Sequence, residues 1–105
     1  MSGVLRIHRF EVPVNDHWHT IPLTGPILHV GGRSVWTVEF WALAGRWPQD
    51  QHYEFRVYGT GHQLPAEGWQ YVGSVVHPDL VWHLVVRRLT DVVDVEITVP
   101  VPEYR

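Results

Sequence analysis

The sequence predicts a mainly β domain, a small antiparallel sandwich or partly open barrel with at most one short helix. Three observations predict it. Short runs alternate between apolar and polar side chains with period two. Proline, glycine, asparagine and aspartate punctuate those runs at short intervals. Helical periodicity is almost absent, while β-branched and aromatic residues are frequent.

The elements follow in order. Leu5, Ile7 and Arg9 face one way and Val4, Arg6, His8, Phe10 and Val12 the other, which predicts a first strand closed by Pro13 and the Asn15-Asp16 turn. Trp18 to Leu23 is a short second run ending at Thr24-Gly25-Pro26. Ile27 to Val30 predicts a third strand, with Gly31-Gly32 as a hairpin-type turn. Ser34 to Leu43 is apolar on both faces, with Val35 and Trp41 on one and Trp36, Val38, Phe40 and Ala42 on the other. Such a strand sits centrally in its sheet or between layers. Ala44 to Asp50 reads as a loop. Tyr53, Phe55 and Val57 alternate with Glu54, Arg56 and Tyr58 as a half-buried strand running into Gly59-Thr60-Gly61-His62. Pro65 and Gly68 predict one helical turn over Leu64 to Trp69. Tyr71 to His77 and Leu80 to Arg88 form a hairpin around His77-Pro78-Asp79. Val93, Val95, Ile97, Val99 and Val101 alternate with Asp94, Glu96, Thr98 and Pro100 as a last strand.

The organisation is one β-rich domain over 1–90 with a C-terminal extension strand over 91–105. The 105 residues suffice for one core. Without cysteine there is no disulfide framework and no thiolate metal site. A net charge of −3 does not steer the chain toward nucleic acid or a membrane surface. The opening residues, Met1 to Phe10, lack the apolar stretch of a signal peptide, and no run approaches the ~20 apolar residues of a membrane span. The expectation is a cytoplasmic protein. All eight basic residues are arginine, a habit of GC-rich coding, and six tryptophans imply large aromatics in a core or an interface.

A family resemblance rests on Phe55-Arg56-Val57-Tyr58-Gly59-Thr60-Gly61-His62, Tyr71-Val72-Gly73-Ser74-Val75 and Leu80-Val81-Trp82-His83-Leu84. With Ile7 to Pro13, Ile27 to Val30 and Trp41-Ala42-Leu43, these segments resemble an uncharacterised family of short phage and prophage proteins, a domain of unknown function. The resemblance spans about Leu5 to Val86; Arg87 to Arg105 continues past the point where that family usually stops. It implies a phage accessory protein, of an actinobacterial phage by the arginine bias, acting in the cytoplasm of the host cell. It transfers no activity.

Candidate chemistry concentrates in few places. Gly59-Thr60-Gly61-His62 follows a strand, so its amides could cradle an anion, with Thr60 adding a hydroxyl and His62 a proton or charge. It lacks the Lys-Ser/Thr of a P-loop. The alternative is a tight turn whose glycines serve geometry, with His62 capping a carbonyl. His83 is expected on a polar face and Trp82 toward the core. The predicted ligand- or partner-binding set is Gly59, Thr60, Gly61, His62 and His83. His17 and His19 share a strand face, but a third ligand among His29, His83 and Glu39 is not evident, so no metal and no cofactor are expected. Trp41, Trp47 and Trp69, at strand or loop edges, could stack on a base or anchor a partner, or simply pack.

Ser2, Ser34 and Ser74 sit in no nucleophile elbow, and no catalytic constellation appears. The expected function is therefore non-enzymatic: an accessory protein that binds a host protein or defence component. The other class is a binder of a small anionic ligand such as a nucleotide signal. The apolar face of the last strand, Val93, Val95, Ile97 and Val99, is expected at a homodimer interface, since such a face is not left in water.

Overall fold

A computed structural model describes residues 4–23, 25–44 and 51–88. Among the described residues seven strands carry the regular structure: β1 (Arg6–Pro13), β2 (His19–Leu23), β3 (Ile27–Ser34), β4 (Thr37–Ala44), β5 (Gln51–Gly59), β6 (Gln70–Val76) and β7 (Val81–Arg88). They build two sheets, β1-β4-β3 and β2-β5-β7-β6, in which every pairing is antiparallel. The sheets pack face to face as a small β sandwich, and no helix occurs among the described residues.

The period-two pattern explains the core. Val12 of β1, Val38, Phe40 and Ala42 of β4, Phe55 and Val57 of β5, and Leu84 and Val86 of β7 turn inward and are buried. Phe40 stacks on Phe10 within its own sheet (centroids 5.0 Å apart) and on Phe55 across the interface (4.7 Å), joining the two layers. Full burial of side chains of this kind contributes about 1.5–3 kcal/mol each. β4 is central in its sheet, as its two apolar faces predict. On its outer face Glu39 is buried, held by Arg9 at 2.8 Å and Arg33 at 2.9 Å.

Two local expectations are corrected. Gly31-Gly32 is not a turn: β3 runs through both glycines to Ser34, and the chain reverses at Val35-Trp36. The ladder to β4 continues past the glycines, Gly31 opposite Glu39 and Ser34 opposite Thr37, with a register shift between. A Cβ on Gly31 would touch the Trp41 ring at 3.4 Å, so glycine lets that indole lie across the strand. The reversal is stabilised by the Ser34 hydroxyl, which accepts from the Trp36 N–H at 3.0 Å. The second correction concerns Leu64 to Trp69, which is an irregular loop and not a helical turn. Gly68 takes φ +96°, outside helical space, and the Trp69 indole N–H donates to the Pro65 carbonyl at 2.7 Å. One isolated turn fixes several torsions for a single backbone hydrogen bond, so it does not form by itself.

β6 carries an irregularity that matters for the site. Ser74 opposes His83 and Gly73 opposes Leu84, but Tyr71 opposes Val85, so Val72 is an extra residue. Without it, Tyr71 would fall one position over and point into the core; with it, Tyr71 points outward beside His83. Gly73 faces β3 so closely that a Cβ there would lie 2.8 Å from Val30 Cγ2. The C-terminal extension over 91–105, with Val93, Val95, Ile97 and Val99, lies outside the described residues, as does Trp47.

Candidate functional site

The Gly59-to-His62 loop closes on itself. The Gly59 N–H donates to His62 Nδ1 at 3.0 Å, and the His62 N–H donates to the Gly59 carbonyl at 3.0 Å. His62 therefore caps an amide with its ring, not a carbonyl, and a neutral ring carries its proton on Nε2. Gly61 adopts φ +94° with open space around it, so its duty is conformational. Gly59 has a steric duty: a Cβ there would sit 3.0 Å from His62 Cε1 and 3.2 Å from Trp82 Cζ3. With the His62 amide already spent within the turn, the loop offers an anion fewer N–H groups than its glycines suggest.

Thr60 connects the loop to the outer face of the four-stranded sheet. Its Oγ1 lies 2.8 Å from His83 Nε2, and His83 Nδ1 lies 2.9 Å from the Tyr71 hydroxyl. The structure thus brings Thr60 and His83 together, with Tyr71 as a third member. A neutral His83 donates from one nitrogen and accepts at the other, and both hydroxyls can serve either role, so either tautomer satisfies the line. His62 turns away from this line toward Gly59 and Trp82.

Beside this line the sheet's outer face is covered. Trp18 reaches across from the β1–β2 connection, its ring edge-on to Tyr58 (6.4 Å) and stacked against the Arg87 guanidinium (3.9 Å). Arg87 Nε donates to Glu54 at 2.7 Å, and Arg56 lies over the Tyr58 ring at 4.7 Å. Tyr58 and Val85 are buried as a result, although their strand positions face away from the main core. Trp18 is a packing residue of this satellite cluster.

The loop shares its end of the sandwich with the β3–β4 turn. Trp82, opposite Gly59, donates its indole N–H to the Val35 carbonyl at 3.0 Å. The Trp36 carbonyl accepts from the Val14 N–H at 2.9 Å. Together with the Ser34 hydroxyl, these bonds pin the backbone of Val35 and Trp36 from three sides, while the Trp36 side chain is 74% exposed. Val75, whose side chain approaches Gly32, brings the exposed Val76 of β6 to the same end.

A family model, that of the domain of unknown function DUF7352, matches residues 4–93. The chain belongs to the DUF7352 family. The match takes in all seven strands, the Trp36 turn and the Gly59-to-His62 loop. No curated protein and no solved structure matches the chain. An uncharacterised family is what the sequence resemblance implied.

The remaining candidates of this DUF7352 chain are dispersed. His19 Nε2 contacts the Asn15 side chain at 2.8 Å, His29 tilts against Trp41, and Glu39 is engaged by two arginines. No group of three or more histidines, aspartates and glutamates placed to hold a metal occurs among the described residues. Sequence reasoning missed Tyr71 and Trp36. The signal for Tyr71 was its place in the predicted hairpin with His83, obscured by the extra residue. Trp36 reads as sharing a face with Val38, Phe40 and Ala42, on a strand that begins only after it.

Proposed function

We propose that this protein is a non-enzymatic binding module, a phage accessory protein that engages a protein of the host cytoplasm through the end of the sandwich carrying Trp36. One observation carries the reading: a tryptophan side chain three-quarters exposed on a turn whose backbone is held by Ser34, Val14 and Trp82. Exposed tryptophan is costly in water, and tryptophan is the residue most enriched among binding hot spots. A pinned backbone lowers the ordering cost of association, because little of the turn remains to be fixed. The Gly59-to-His62 loop, joined to the same turn through Trp82, forms the rim. The reading favours binding over catalysis because His83 is oriented by a phenol. A carboxylate in that place would stabilise an imidazolium; a phenol does so far less.

The test uses the tagged full chain as bait in host extract, followed by reconstitution with the purified partner. One host protein retained by the wild type and lost with Trp36→Ala supports the reading. Equal retention by Trp36→Ala overturns it.

A second reading, sequestration of a small anionic ligand such as a nucleotide signal, is favoured by the convergence of Thr60, His83 and Tyr71. It predicts excess absorbance near 260 nm in purified wild-type protein, lost with His83→Ala.

A further inference from the structure

We propose that β1 is the seam of a homodimer, paired antiparallel with β1 of a second copy about a two-fold axis at Phe10. Each sheet of the sandwich has two edges, so four strands lie at an edge: β1, β3, β2 and β6. An unprotected edge offers a row of unpaired N–H and C=O groups, and proteins blunt such edges with short strands, proline, lysine or bulges. Three of the four are blunted here. β2 has five residues and carries Pro22. β3 has register shifts at Ile27/His29 and Gly31/Ser34, and β6 has one at Tyr71/Gly73.

β1 is long, has no bulge and no internal proline, and its charges are of both signs. It runs eight residues in unbroken register with β4, from Arg6 opposite Ala44 to Pro13 opposite Thr37. Its one proline is its last residue. Among the described residues its other edge has no partner strand. Ile7 near its start and Val4 and Leu5 just before it are exposed at 61%, 69% and 44%.

The charges on β1 select the partner. Arg9 and Glu11 project from the outer face, both exposed and already paired with each other along the strand at 2.6 Å, so pairing across a seam extends an existing ion pair into a four-charge cluster. In an antiparallel pair centred on Phe10, Arg9 lies opposite Glu11 of the partner subunit, and Glu11 lies opposite the partner subunit's Arg9. Opposite charges directly across a ladder are stabilising, and like charges are destabilising. Ile7 then opposes the partner's Pro13, and the two phenylalanines meet on the core side. The strand is thus complementary to its own antiparallel copy, as a two-fold interface requires. Glu39, which holds Arg9 at 2.8 Å, keeps that guanidinium on the outer face before the partner arrives. Pairing joins the two three-stranded sheets into one of six strands.

Analytical ultracentrifugation of the full chain up to about 100 μM, a range that covers micromolar association, tests the proposal. A dimer is expected in the wild type. Glu11→Arg places arginine opposite arginine twice and is expected to weaken dimerisation roughly tenfold or more. In parallel, amide hydrogen exchange of the wild type follows those β1 amides that point away from β4; their protection should rise with protein concentration. A wild-type monomer overturns the proposal, whether another segment of the chain covers β1 or nothing does. A dimer that Glu11→Arg leaves unchanged also overturns it. If Glu11→Arg does not fold, the exchange measurement decides: concentration-dependent protection supports the seam, and its absence overturns it.

Discussion

The indole N–H of Trp82 donates to the carbonyl of Val35 across the sandwich, at 3.0 Å, tying the inner face of β7 to the β3–β4 turn. The bond matters because Gly59 packs on the same indole. One side chain thus organises both the exposed turn and the glycine loop.

Trp82→Phe tests that role. Phenylalanine keeps most of the apolar contact and removes the donor. The expected loss is about 1–2 kcal/mol, from one hydrogen bond and a small cavity. Urea denaturation measures it, and exchange of the Trp36 amide should accelerate beyond the global change. An unaltered midpoint contradicts the argument.

Gly73 tests the bulge. In Gly73→Ala the new methyl lies 2.8 Å from Val30 Cγ2, closer than real contacts allow, and β3 and β6 must move apart. Overpacking of this kind costs about 1–3 kcal/mol. The double variant with Val30→Ala should recover part of that cost, a non-additivity expected of residues in direct contact. If the two effects simply add, the close approach is not what constrains this position.

Much of this fold was legible in the sequence. Alternation placed Phe55 and Val57 on one face of a half-buried strand and Trp82 toward the core, and the two-sided apolar pattern marked β4 as central. What misled was local chemistry read without its partner strand. Gly31-Gly32 looks like a turn because glycine is the commonest reason for one, yet here it makes room for Trp41. The true reversal at Val35-Trp36 contains neither glycine nor proline, and only the Ser34 hydroxyl marks it. At the candidate site, Thr60 and His83 were each legible as polar residues in a suggestive context. Their approach across 23 positions was not, since it depends on the β5–β7 register. Tyr71 was hidden for a sharper reason: one extra residue in β6 reverses the face it occupies, and periodicity alone places it in the core.

Trp36→Ala separates folding from binding. Its side chain is 74% exposed and its backbone bonds do not depend on it, so stability should stay within about 0.5 kcal/mol of wild type. Thermal unfolding checks this. A larger loss would mean that the indole packs on its own domain, and a binding defect in the variant could then not be assigned to a missing anchor.

Tyr53 supplies a test by pH. Its side chain is 2% exposed on the inner face of β5. Burial pushes its phenol above the ordinary value near 10, and the charge of Arg88 pulls it part of the way back. The native state therefore holds this proton more tightly than the unfolded chain does. The stability tied to the neutral phenol is fully present below the unfolded value and is lost as pH rises through the higher native one. Urea midpoints measured between about pH 8 and pH 11 should fall in the wild type as pH passes the ordinary tyrosine value. The other three tyrosines and the arginines add slopes of their own, so the comparison is with Tyr53→Phe, in which this phenol cannot ionise. The variant should lose stability less steeply over the alkaline half of the range. Parallel curves would mean that Tyr53 ionises as readily folded as unfolded, and that its hydroxyl reaches water through a path which its burial does not show.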